Sequence, residues 1–130
     1  IRLALKLPSE FLPTIKGNAA WIYQILSIFL DNAIAYGCTE EESPLITMEA
    51  YADTRNVSVS ISDHGMGIPD HVKPHIFDRF YKADASRNDK EHAGLGLSIA
   101  KMLADRMGLE IKVNDTPGGG VTFELEFDVY

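Results

Sequence analysis

Apolar and polar residues alternate along several short segments of the chain and recur with a longer period in others. An apolar residue at every second position is typical of a half-buried strand, whereas apolar residues three or four positions apart are typical of a helix packed on a core. The alternating segments predict strands at 2–7, 46–52, 57–62, 109–113 and 121–127. The longer period predicts helices at 18–37 and 97–107.

Residue types at the ends of these segments support the prediction. Asn18 precedes the first helix and can accept a hydrogen bond from its first turn. Gly37 follows the last apolar position of that helix, where we expect a glycine with positive φ. Gly108 ends the second helix in the same way, and the polar residues 53–56 form a hairpin turn between two strands.

The order of the elements predicts the fold class. A strand, a helix and two strands are followed by an irregular stretch, 63–93, which is broken only by a short apolar patch at 76–81, and then by a helix and two strands. This order favours an α+β fold, a two-layer sandwich in which helices cover one face of a mixed, mostly antiparallel sheet. We expect residues 1–130 to form one domain of a longer chain. An irregular stretch of thirty residues in a compact domain is usually functional or mobile.

Composition excludes several classes of function. The net charge is −7, which disfavours a nucleic-acid partner because such proteins present a basic surface. No apolar run reaches the roughly 18 residues that a membrane span requires. A single cysteine cannot form a disulfide framework, so we expect an intracellular location.

Three polar or glycine-rich features stand out from the pattern, and each has an ordinary explanation when it is taken alone. Asp63, Gly65 and Gly67 follow a strand and are favoured turn residues. Asn32 lies late in an apolar helix, where an amide usually faces solvent or bonds its own backbone. The glycines of 94–97 open the second helix and could serve only its geometry.

Together the three features have the chemistry of a nucleotide site. The Asp63 carboxylate can accept a hydrogen bond from an exocyclic amine such as that of adenine, and burying it requires such partners. A glycine-rich helix start at 94–97 offers unpaired N–H groups to phosphate. The Asn32 amide offers a neutral oxygen to Mg²⁺, which needs few protein ligands. The P-loop and dinucleotide-binding motifs are absent from the sequence.

Five motifs in this order resemble the catalytic ATP-binding domain of bacterial sensor histidine kinases, which has the Bergerat fold. They are the asparagine box at 30–36 (LDNAIAY), the first glycine box at 63–69 (DHGMGIP), the phenylalanine box at 76–82 (IFDRFYK), the second glycine box at 94–100 (GLGLSIA) and the closing glycine turn at 118–123 (GGGVTF).

The resemblance implies ATP and Mg²⁺ as ligands and gives each motif a role. Asp63 is expected to bind the adenine amine, Tyr36 to lie against the base and Thr122 to support it. Asn32 is expected to ligate Mg²⁺ and, with Lys82 near the phosphates, to serve catalysis. The remaining residues that the resemblance places at the ATP are Gly65, Gly67, Ile68, Gly94, Leu95, Gly96 and Leu97. Residues 82–93 are expected to be a flexible ATP lid.

The implied function is that of a protein histidine kinase, which transfers the γ-phosphate of ATP to a histidine on a separate dimerisation helix domain and serves a response regulator indirectly. None of the four histidines of this chain lies in a phosphoacceptor motif, so the isolated domain should be inactive alone, and we expect it to be monomeric. His71 and His75 could be two metal ligands, but Pro74 between them favours a surface turn.

Two alternatives remain open at this point. The family often has a polar residue four positions before Asn32 and a basic residue at position 35, but this chain has Ile28 and Ala35 there. These departures would suit a non-catalytic, nucleotide-binding regulatory module. An ATP-hydrolysing member of the superfamily is the other alternative. Such enzymes place a glutamate base four residues before the metal-binding asparagine, where this chain has Ile28.

Overall fold

The computed structural model describes residues 2–7, 15–37, 44–80 and 96–128 of the 130-residue chain. The described elements are the strands β1 (Arg2–Lys6), β2 (Leu45–Ala52), β3 (Asn56–Ser62), β4 (Glu110–Asp115) and β5 (Val121–Asp128), the helices α1 (Ala19–Gly37) and α2 (Gly96–Met107), and a 3₁₀ helix (Lys73–His75). The predicted strands and helices are confirmed to within one or two residues. The 3₁₀ helix interrupts the stretch predicted to be irregular, because three residues are too few to show a periodic pattern.

The five strands form one sheet in the order β1-β2-β3-β5-β4. β1 runs parallel to β2, and every other neighbouring pair is antiparallel. The predicted mixed, mostly antiparallel sheet is therefore confirmed. In the antiparallel pair of β3 and β5, Ile61 lies opposite Phe123 and Ser62 lies opposite Thr122.

One face of this sheet carries the core. The apolar residues of β5 are all buried and alternate with half-buried polar residues. The Phe29 ring of α1 stacks on the Phe123 ring of β5, with 5.1 Å between the ring centres. Three residues of α2, which are Ala100, Leu103 and Ala104, are buried in the same cluster. Both helices therefore cover the face that holds Phe123, which confirms the two-layer α+β sandwich, while Thr122 and Ser62 lie on the outer face.

The ends of α1 follow one prediction and correct another. Asn18 Oδ1 accepts a hydrogen bond from the Trp21 backbone N–H at 3.1 Å, so the predicted cap is confirmed. The prediction of a positive φ at Gly37 is wrong, since Gly37 is not among the described glycines that have one. A side chain at Gly37 would instead overlap the carboxyl group of Asp63. The glycine is required by close packing rather than by backbone conformation.

The hairpin between β2 and β3 is closed by its first residue. Asp53 Oδ1 accepts hydrogen bonds from the backbone N–H groups of Arg55, at 2.8 Å, and Asn56, at 2.7 Å. These two bonds lower the pKa of Asp53 below its usual value.

Within the described ranges, no helix is long and apolar enough to cross a membrane.

Candidate nucleotide-binding site

Asp63 lies at the end of β3 and has only 3% of its surface exposed. Its backbone N–H donates to the Val121 carbonyl at 3.0 Å and so extends the pairing of β3 with β5 by one residue. Its Oδ1 accepts hydrogen bonds from the backbone N–H groups of Gly65, at 3.0 Å, and Val121, at 3.2 Å. Oδ2 lies beside Gly37 and accepts no hydrogen bond from another described residue. The carboxylate is therefore held by one oxygen and can accept a ligand's donor with the other.

Glycines from three distant parts of the sequence surround this carboxylate. A Cβ atom at Gly65 would lie 2.7 Å from the Cα atom of Gly37, and one at Gly120 would overlap the Asp63 carbonyl oxygen. Gly67 has a φ of +76°, and a Cβ there would lie 3.2 Å from the Gly120 carbonyl oxygen. Close contact between backbone segments is thus sufficient to require these glycines, whether or not a ligand also approaches them.

Asn32 lies on α1 five residues before Gly37, a rise of about 7.5 Å along the helix axis. Its side-chain Nδ2 donates to the Ile28 carbonyl oxygen at 2.9 Å. This bond with the helix backbone is the ordinary behaviour of an amide inside a helix. It also directs the amide nitrogen to the protein and leaves Oδ1 to accept or ligate, which fits a metal ligand. Tyr36 follows one turn later and is 38% exposed.

The first residue of α2, Gly96, lies close to this part of α1. A Cβ atom at Gly96 would lie 3.4 Å from Ile28 Cγ2, so the start of α2 packs against the Ile28 side chain. Leu97 is half-buried and packs against the core. The other residues predicted to hold the phosphates, which are Lys82, Gly94 and Leu95, and the lid at 82–93 lie outside the described residues.

Thr122 does not reach the Asp63 carboxylate. Its hydroxyl lies on the outer face of the sheet and hydrogen-bonds with the Ser62 and Thr116 hydroxyls, each at 2.9 Å. The residue of β5 that contacts the carboxylate is Val121, and the support of the base by Thr122 stays a prediction. Neither Val121 nor Thr116 was singled out from the sequence. The alternating pattern of β5 could have shown that Thr122 and Val121 lie on opposite faces.

Ile68 is half-buried against the core and also lines an open groove of about 410 Å³ between residues 66–69 and 115–120. Neither Asp63 nor Asn32 lines this groove, but the groove shares Gly67 and Gly120 with the glycines around the carboxylate. Lys73 joins the two walls of the groove, since its Nζ lies 2.5 Å from Asp70 Oδ1 and 2.8 Å from Asp115 Oδ1. The hydrogen bond with Asp115 and, to a smaller extent, the one with Asp70 raise the pKa of Lys73. The hydrogen bond with Lys73 lowers the pKa of Asp70.

The histidine pair lies on the surface, around the 3₁₀ helix. His71 and His75 are exposed, and His75 Nδ1 lies 3.2 Å from Asp78 Oδ2. Across the parts of the chain that the structure describes, no three His, Cys, Asp or Glu side chains converge in a geometry suited to a metal ion.

Comparison with known protein families shows to which family the chain belongs. The family of histidine kinase-, DNA gyrase B- and HSP90-like ATPases matches residues 17–130. The chain belongs to this family. The ATPase family has the predicted ATP-binding function, and its match covers both glycine boxes and the asparagine box.

Relatives of this ATPase domain are sensor kinases. The sensor histidine kinase YkoH of Bacillus subtilis is 45% identical over 116 residues, which are 87% of this chain and 24% of YkoH. The signal transduction histidine-protein kinase AfsQ2 of Streptomyces coelicolor is 44% identical over 100 residues, 77% of this chain and 18% of AfsQ2. Full-length ShkA, solved in complex with AMPPNP, is 30% identical and has a TM-score of 0.79 over 99% of this chain and 26% of ShkA.

These matches confirm the resemblance to the catalytic ATP-binding domain of sensor histidine kinases. The ATPase domain described here spans about a quarter or less of the length of these relatives.

Proposed function

We propose that this ATPase domain binds Mg-ATP and delivers the γ-phosphate to a histidine on a separate dimerisation domain. The observation that carries the proposal is the buried Asp63 carboxylate, with one oxygen held by two backbone N–H groups and the other left to accept. The second oxygen reaches the surface, because no buried side-chain oxygen of the described residues lacks a partner, and an exocyclic amine can donate to it there. GTP should bind far less well, because it presents an acceptor oxygen where adenine presents the amine.

Asn32 is the residue that would hold Mg²⁺. Its amide nitrogen is already bonded to the Ile28 carbonyl, so the oxygen is the atom available to a metal. Mg²⁺ would take most of its other ligands from phosphate and water and would neutralise the charge that builds on the phosphates during transfer. The N-terminus of α2 at Gly96 directs backbone N–H groups and a positive dipole end towards an anion. We therefore propose that the phosphates lie near the Asn32 side chain and the start of α2.

The residue at position 28 favours transfer over hydrolysis. Ile28 has no group that could take a proton from an attacking water, and it lies one turn from Asn32 on the same helix. The domain would then act chiefly by positioning ATP and stabilising charge. In this proposal the acceptor is a histidine of the dimerisation helix domain, a response regulator is served indirectly, and the isolated domain is monomeric and cytoplasmic. Nucleic acid has no part in it.

Calorimetric titration of the domain with ATP and GTP tests the nucleotide assignment. The Asp63→Asn variant turns an acceptor into a competing donor and should weaken ATP binding by about 1–3 kcal/mol. Thr54→Val, in the exposed hairpin, is a control for substitution alone. Equal affinities of wild type and Asp63→Asn for ATP would refute the assignment.

Transfer is tested separately by adding a chain that carries the dimerisation helices, with γ-labelled ATP and Mg²⁺. We expect label on its histidine, as an acid-labile and alkali-stable product, and none on this domain alone. ATP binding without transfer at any Mg²⁺ concentration would favour the regulatory-module alternative, and rapid release of free phosphate would favour the ATP-hydrolysing one.

A further inference from the structure

Three hydroxyl groups form a chain of hydrogen bonds on the outer face of the sheet, behind the Asp63 carboxylate. The Thr122 hydroxyl lies 2.9 Å from the Ser62 hydroxyl and 2.9 Å from the Thr116 hydroxyl. Ser62 and Thr122 are paired in register across β3 and β5. The chain therefore joins the two strands at the residues that flank the hydrogen-bonded pair of Asp63 and Val121.

Thr116 also closes the glycine turn between β4 and β5. Its backbone N–H donates to the Gly120 carbonyl oxygen at 3.1 Å, and its carbonyl oxygen accepts from the Gly119 N–H at 2.9 Å. Only 7% of Thr116 is exposed, although it belongs to a turn whose next three residues are exposed. A buried hydroxyl that is bonded inside a turn restricts the turn more than an exposed one could.

This turn leads into one of the two N–H donors that hold the Asp63 carboxylate. Gly120 contacts the Asp63 backbone carbonyl, and the next N–H, that of Val121, donates to Asp63 Oδ1 at 3.2 Å. A shift of the turn would move this donor and rotate the carboxylate. The other donor, the Gly65 N–H, belongs to the loop after β3.

We infer that Thr116 is a positioning residue for purine recognition: its hydroxyl, through Thr122 and Ser62, fixes the turn that aims the Asp63 carboxylate at the 6-amino group of the base. The inference rests on the proposed function, since it needs Asp63 to bind that amine. Thr116 touches neither the base nor the carboxylate and acts through the backbone of Gly120 and Val121.

The test compares ATP with purine riboside triphosphate, which lacks the 6-amino group. The quantity measured is the dissociation constant of the analogue divided by that of ATP, which is large when the 6-amino group is recognised. A loss of overall stability would weaken both nucleotides alike and leave this ratio unchanged. Thr116→Val removes the hydroxyl at nearly constant shape and should lower the ratio by about threefold to tenfold. Thr116→Ser keeps the hydroxyl and should retain the wild-type ratio.

Thr47→Val is the matched control. Thr47 lies on the same outer face and is paired in register with Ser62, but its hydroxyl makes no hydrogen bond with another described residue. This variant should leave the ratio at the wild-type value. Should Thr116→Val fail to fold, Ser62→Ala removes the other end of the hydroxyl chain and should lower the ratio in the same direction.

The outcomes separate the inference from the function on which it rests. If the folded Thr116→Val domain has the same ratio as wild type, the positioning role is overturned. The proposed function still holds in that case, provided that the ratio of wild type is far above that of Asp63→Asn. A wild-type ratio equal to that of Asp63→Asn overturns both. An equal fall of the ratio in Thr116→Val and Thr47→Val overturns the hydroxyl chain as the cause.

Discussion

The carboxyl group of Asp63 occupies the space in which a side chain at Gly37 would stand. This contact joins the end of β3 to the last turn of α1. It therefore fixes the position of Asp63, the acid that would bind the base, relative to the helix that carries Asn32. Only a glycine at the helix end permits it. The asparagine box and the first glycine box are therefore parts of one packed unit.

Gly37→Ala should weaken ATP binding by about tenfold or more, because the new methyl group displaces the carboxylate, and overpacking of this kind costs about 1–3 kcal/mol. Calorimetry with Mg-ATP measures the change. Gly17→Ala is the control just before the other end of α1, where a Cβ atom would lie 2.9 Å from the tip of the flexible Ile22 side chain and 3.7 Å from Met107 Sδ. An ATP affinity for Gly37→Ala equal to that of Gly17→Ala would contradict the role of the contact.

The fold was predictable from periodicity, whereas the reasons for several site residues were not. Alternation in β5 and the apolar stripe of α1 predicted the elements because burial on one face imposes those periods. Gly37 was predicted to end a helix, but its role depends on Asp63, a partner 26 positions away that no local pattern reveals. Thr116 was missed for the same reason, since its hydroxyl matters only through Thr122 and Ser62.

Asn32→Ala should abolish the dependence of ATP binding on Mg²⁺, because it removes the only side-chain oxygen that we assign to the metal. Titrating Mg²⁺ at fixed ATP and following affinity by calorimetry measures this. Asp31→Ala, an exposed neighbour on the same helix, is the control and should keep the wild-type dependence. Retention of Mg²⁺ dependence in Asn32→Ala would remove Asn32 from the metal site.

Asn18→Ala should lower the free energy of unfolding by about 0.5–2 kcal/mol, because it removes the acceptor for the Trp21 N–H in the first turn of α1. Urea denaturation measures the loss. Asn18→Asp keeps an acceptor and should be close to wild type. If the alanine and aspartate variants are equally stable, the cap contributes nothing.

Lys73→Met should destabilise the domain at neutral pH, and the loss should shrink in acid and in high salt. Asp70 has a folded pKa below its ordinary 3.8, so its contribution is complete above that value and disappears as the pH falls through the lowered pKa. The raised pKa of Lys73 keeps the ammonium charged throughout this range. Unfolding of wild type and variant along a series of decreasing pH values checks the prediction.

The control for Lys73 is Lys101→Met, which breaks an exposed ion pair with Asp105 on α2. Exposed pairs of this kind contribute little, whereas the Lys73 side chain is only 16% exposed and joins two separate segments. The Lys73 variant should therefore lose more stability than the Lys101 variant. The same loss in both, or a loss for Lys73→Met that grows in acid, would rule out the ion pairs as its cause.

Ile28 decides between two interpretations of the position one turn before Asn32. In the first, position 28 faces the metal and Ile28 supplies no second side-chain oxygen, so that Ile28→Asn should alter the Mg²⁺ requirement of ATP binding. In the second, Ile28 is a packing residue. The structure favours packing, because the side chain is half-buried, belongs to the apolar cluster and lies against Gly96.

We therefore expect Ile28→Asn to lower the free energy of unfolding by about 1–3 kcal/mol, since it places an amide in an apolar contact, and to leave the Mg²⁺ dependence of ATP binding unchanged. Ile28→Val, which keeps an apolar side chain, should cost only about 0.5–1.5 kcal/mol. Urea denaturation and Mg²⁺ titration of both variants measure the two effects. A stable Ile28→Asn domain that binds ATP at lower Mg²⁺ concentration than wild type would show instead that position 28 faces the metal. An asparagine there could then serve as a second side-chain ligand without disturbing the fold.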